Sequence, residues 1–235
     1  MRFIDPDGMA PLDHIFNSKG EFIRDTKVGN AVKIQIGNKL YNPSQLSTSM
    51  GSRKAIAKIG AFYAGKIGAD VGTKISTAKG DIDSNKNPAF TKDQTINLNT
   101  NGGFSESLND ISNFKNIMKH ENAHKEDNEN SKFESTLSTH ADVYNIQMSD
   151  SSFGSTTDEF KIGTAASFGN YLLNMDQSSE FGVNEILSKV ETFNASNKGG
   201  LQIQTPLGAF SKGTLYLDLI YKKQTYPIDY EKVDR

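Results

Sequence analysis

The chain contains no cysteine in its 235 residues. That excludes a disulfide framework and thiolate metal ligands, so any zinc would have to rely on His, Asp or Glu. It also lacks an excess of either charge: 26 basic and 28 acidic side chains leave a formal net charge of -2. No global field therefore favours nucleic acid or acidic lipid. No apolar run reaches membrane-spanning length, so no membrane span is expected. The opening "MRFIDPDGMAPLDH" has neither a positive n-region nor an apolar h-region. It reads as no signal peptide, and a chain that leaves the cell would need another carrier. No internal repeat is evident. Histidine is scarce too, with four in the whole chain.

What is present is a polar globular composition, 35% hydrophobic and 23% charged, long enough for one large domain or two small ones. Residues 1–47 show turns and short alternating runs. "DPDG" is a turn cluster, and "HIFNSKGEFIRD" and "NAVKIQIGNKLYN" read as hairpins. Residues 52–77 carry Ala, Ile and Phe at helical spacing with several glycines, which predicts a core helix loosened by glycine. Residues 78–93 read as a polar surface loop. "TINLN" alternates as a short strand and stops at Gly102-Gly103. Leu108, Ile111, Phe114, Ile117 and Met118 fall at helical intervals after a Ser105 or Ser107 cap.

Three more helices are expected. One starts from a Ser131–Glu134 capping box, one from a Thr156–Glu159 box, and one covers about 182–194. The period then changes to two, with Leu215, Leu217, Leu219 and Tyr221 on one face. The expected fold is α+β: a small β-rich N-terminal part, a mainly helical zincin-like core and a C-terminal β-hairpin. The expected division is 1–50 and 51–235.

The helix over 108–126 carries "HENAH", residues 120–124, near its end. Residues four apart lie one turn above each other, so His120 and His124 can present two imidazoles to one ion. Glu121 can then reach a metal-bound water as general base, the division of labour of an HExxH zinc peptidase. At this His and Glu content the pattern arises by chance about once in 300 such chains, which favours a site over an accident. The competing reading is a solvated helix face bearing two idle histidines.

A catalytic zinc needs a third protein ligand and an open position. His140 stands on an apolar helical stripe between Leu137 and Tyr144, where a buried imidazole needs a partner or a metal. It ranks first as third ligand, followed by Glu134, which also closes a capping box, and Asp142. Tyr144 is either a core aromatic or a hydroxyl that steadies a developing oxyanion. Asp127 can orient the second imidazole or simply end the helix.

Two stretches carry a resemblance. "RFIDPDGM" resembles the junction that ends the core of RHS-repeat polymorphic toxins, and "DHIFNSKGEFIRDTK" is similar to hairpin segments that follow it. Residues from about 94 to 175 resemble the HExxH metallopeptidase modules carried as C-terminal tails of such proteins, with Gln147 and Ser152-Phe153 in place. His140 departs from the pattern, which has a Glu there. Asp127 stands where the longer metzincin motif needs glycine. The resemblance implies a zinc-dependent toxin tail, delivered by a larger secreted parent and acting on a protein or peptide, with a cognate immunity protein as partner. Two other readings compete: a non-enzymatic interaction module with a structural or absent metal, and a toxin of another hydrolase chemistry. A nuclease is disfavoured by the near-neutral charge.

Overall fold

The computed structural model describes residues 12–81, 87–130, 136–205 and 215–232, without the side chains of 128–130. The opening "DPDG" turn and the Ser131–Glu134 box, with Glu134 itself, lie outside these residues. The fold is α+β as expected: a β-rich start, six α-helices among the described residues and a C-terminal hairpin sheet. The chain divides into two compact units, Met1–Glu129 and Asn130–Arg235.

In the first unit, β1 (His14–Asn17) and β2 (Phe22–Asp25) form the expected hairpin, turning at Gly20 with φ +78°. β3 (Val32–Ile36) lies parallel to β1, and β4 (Lys39–Tyr41) returns antiparallel to β3. The sheet order is β2-β1-β3-β4. Val32 and Ile34 are buried as the alternation requires, while Ile36 at the strand end is exposed.

Ser49 caps α1 (Met50–Lys66) by accepting from the Ser52 N–H. Its buried residues Ile56, Ile59, Gly60 and Tyr63 share one face at helical spacing. A Cβ at Gly60 would come within 2.9 Å of Leu98 Cδ1, so glycine lets the helix lie close to the sheet. The helix expected over 52–77 stops early. Gly68 and Gly72 take left-handed φ values of 78° and 97°, and β5 (Lys74–Ala78) begins directly after.

The expected 78–93 loop also needs correction, because β6 (Ala89–Lys92) forms there. β7 (Thr95–Asn99) is the expected strand, but it is central in the order β5-β7-β6, with Ile96, Asn97, Leu98 and Asn99 all buried. Asp93 and Gln94, both at positive φ, make the tight β6–β7 turn. Ser105 caps a 3₁₀ turn, Glu106–Asn109, so Leu108 precedes the long helix and does not belong to it. α2 (Ile111–Asn130) starts where Asp110 accepts from the Asn113 N–H at 2.9 Å. Phe114, Ile117 and Met118 bury its first turns.

The second unit holds α3 (Leu137–Ser149), α4 (Ser151–Gly154), α5 (Asp158–Asn174) and α6 (Glu180–Ser196), followed by β8 (Gln202–Gln204), β9 (Asp218–Tyr221) and β10 (Gln224–Pro227). Thr136 caps α3 with Thr139 reciprocating. The α5 cap is Thr157, one residue beyond the expected Thr156, whose hydroxyl instead donates to the Phe153 carbonyl. Met148, Phe153, Phe168, Leu172, Ile186 and Phe193 form one core with Leu215, Leu217, Leu219 and Tyr221, the apolar face read from the alternation. Pro227 sits on the edge strand β10, where a missing N–H breaks no ladder.

Candidate metal centre

α2 carries the motif in its third and fourth turns. The helical period brings His120 Nε2 to 3.1 Å from His124 Nε2, with ring centroids 4.7 Å apart. Two nitrogens bound to one tetrahedral zinc at about 2.0–2.1 Å stand about 3.4 Å apart. The pair is thus already spaced for one ion. Burial holds His124 down at about 4, opposed by the nearby Asp127 carboxylate, so the ring is neutral and its lone pair is available.

Glu121 is buried beside them. Burial pushes its carboxyl up to about 7, against the lowering effect of hydrogen bonds from Thr91. The Thr91 hydroxyl, on β6, lies 2.9 Å from both Glu121 Oε2 and the Glu121 carbonyl oxygen. Further round the helix, Lys125 pairs with Asp70 at 3.5 Å, and the Asn122 amide donates to Glu126 at 2.6 Å.

His140 is half-buried on the first turn of α3. Its ring stacks on Tyr171 at 4.1 Å and on Tyr144 at 5.4 Å. Tyr144 is half-buried as well and packs towards Phe168 and Tyr171. Asp142 is exposed and bound to Lys189 Nζ at 2.5 Å. Gln147 and Phe153 are buried. The fourth histidine, His14, is engaged elsewhere, with its Nδ1 2.9 Å from Tyr63 Oη.

His120 and His124 in the first unit and His140 in the second are each half-buried imidazoles, the donor type a borderline-soft divalent ion prefers. No local sequence signal marks Thr91. It lies in a four-residue strand that reads as loop, and nothing local ties it to a helix thirty residues on.

A family model described as metallopeptidase toxin 2 matches residues 13–202. Nothing matches among curated proteins or among solved structures.

Proposed function

Because the chain belongs to the metallopeptidase toxin 2 family, we propose that it hydrolyses peptide bonds as a zinc-dependent HExxH enzyme. In this reading His120, His124 and His140 hold the metal, and Glu121 is the general base. The observation that carries it is the 3.1 Å convergence of the two α2 imidazoles next to a buried carboxylate. A peptidase toxin acts on protein, and no described helix is long and apolar enough to cross a membrane.

When bound, zinc supplies Lewis acidity and brings the pKa of a water towards neutrality. The protein's own contribution is a proton relay. Glu121 takes the proton of the attacking water and hands it to the leaving amine. A carboxyl held near 7 can both accept and release a proton at neutral pH. His124, kept neutral by burial, keeps its nitrogen free to ligate. Tyr144 would lend its hydroxyl to the oxyanion while its ring keeps the packing.

His140 is preferred over Asp142 because Asp142 is committed to Lys189. Glu134 stays the alternative. Strand addition by an extended substrate would use an edge strand, β5 or β6, because β7 is central. Delivery into a target cell fits a toxin module. An RHS-type parent and a cognate immunity protein are the partners implied by "RFIDPDGM".

The test is metal content and peptide hydrolysis of the purified chain beside Glu121→Gln. The variant should retain stoichiometric zinc by elemental analysis and lose hydrolysis by ~100- to 10,000-fold. Undiminished hydrolysis would remove Glu121 from the chemistry. A chain that binds no metal would sink the reading whole.

A further inference from the structure

We infer that Thr91 is a positioning residue for Glu121: its hydroxyl, fixed on the edge strand β6, holds the carboxylate on the motif helix in place. The inference rests on the peptidase reading above for its consequence, but its geometry stands alone.

Thr91 Oγ1 lies 2.9 Å from Glu121 Oε2 and 2.9 Å from the Glu121 carbonyl oxygen. Among the described residues, no other side chain is hydrogen-bonded to that carboxylate. Both ends of the contact are stiff. Thr91 is paired with Ile96 in the β6–β7 ladder, and a β-branched side chain has few χ1 choices on a strand. Glu121 lies well inside a 20-residue helix. The hydroxyl thus ties the side chain back to the strand over its own carbonyl.

A carboxylate needs a donor when it is buried, and Thr91 supplies one. Once the carboxyl carries a proton, it can donate to Oγ1 while Thr91 turns its own proton to the carbonyl oxygen. The heavy atoms need not move between the two states. A base that stays put keeps its distance to the water it deprotonates, and a shift of about 1 Å can cost on the order of 100-fold in rate.

The experiment compares the full chain with Thr91→Val, which keeps shape and loses the hydroxyl, and Thr91→Ser, which keeps the hydroxyl and loses the methyl. Zinc content, kcat and KM on an unstructured protein substrate are measured for each, with Glu121→Gln as the zero. Thr91→Val is expected to keep its zinc and its KM while kcat falls about 10- to 100-fold. Thr91→Ser should stay within about threefold of the parent. A Thr91→Val enzyme within about twofold of the parent overturns the inference. So does a Thr91→Ser enzyme as slow as Thr91→Val, which would make the methyl packing the cause. Wild-type turnover no higher than that of Glu121→Gln would defeat the peptidase reading instead. Thr91 is then judged by the crystal structure of Thr91→Val, where a carboxylate moved by about 1 Å or more supports positioning and an unmoved one refutes it.

Discussion

His14 sits between a phenol and a carboxylate, with Tyr63 Oη 2.9 Å from its Nδ1 and Asp25 Oδ1 3.5 Å from its Nε2. Burial among Phe16, Phe22 and Phe62 is the largest influence on it and lowers its pKa. Lys115 and Lys66 push the same way, while Asp25 and Asp13 oppose. The folded value therefore lies below the ordinary 6.5, and the fold prefers the neutral ring. A group of this kind gives stability that is present above the unfolded pKa and lost as pH falls towards the folded one. Urea unfolding between about pH 7.5 and 5 should show stability declining below about 6.5, with a shallower decline in His14→Gln. Equal slopes in the two proteins would acquit His14. The same physics at His124 has another use, since a ring held neutral by burial is one that can ligate.

Helix ends are decided by single hydroxyls, and Thr157 is the clearest case. Its side chain accepts from the Phe160 N–H at 3.3 Å. Thr157→Ala should cost about 0.5–2 kcal/mol in urea unfolding. A cost of zero would mean that solvent satisfies those amides equally well. The tandem Thr156-Thr157 explains why the capping box reads one residue early: either threonine fits the motif, and only the Phe153 carbonyl, which claims Thr156, separates them. Elements with a strong internal period were legible to within a few residues, as α2, α6 and β9 show. Those that depend on partners were not. β6 has four residues and owes its existence to the ladder with β7. The overlong helix at 52–77 failed where glycines at left-handed φ released the chain into β5. At the site, the His120–His124 spacing is a property of one helix and could be read directly. The Thr91–Glu121 contact joins residues thirty apart through a sheet and left no local trace.

At the scale of the whole molecule, metal binding and stability are linked by mass action. An ion that binds only the folded chain adds about 2.7 kcal/mol at 100 times its Kd. Chelation of the purified protein should accordingly lower its melting temperature, and readdition of zinc should restore it. In His140→Ala the chelator-induced shift should shrink along with the zinc content. If His140→Ala keeps its zinc and Glu134→Ala sheds it, the third ligand is Glu134. A melting curve indifferent to chelator in the parent chain would contradict a tightly held ion. The two units have a further consequence for how the chain comes together. Each is one unbroken stretch of sequence, and every described sheet draws its strands from one side of residue 130. Even the parallel pairings of the first unit are short-range, with His14 facing Val32 and Lys74 facing Thr95. Local pairings close quickly because little loop entropy is lost before contacts form. When the chain emerges from a ribosome or a narrow pore with its N-terminus leading, the seven described strands and the motif helix of the first unit can assemble in the order they appear. Nothing in their ladders has to wait for the second half to arrive, and with no cysteines no covalent cross-link can trap a wrong order.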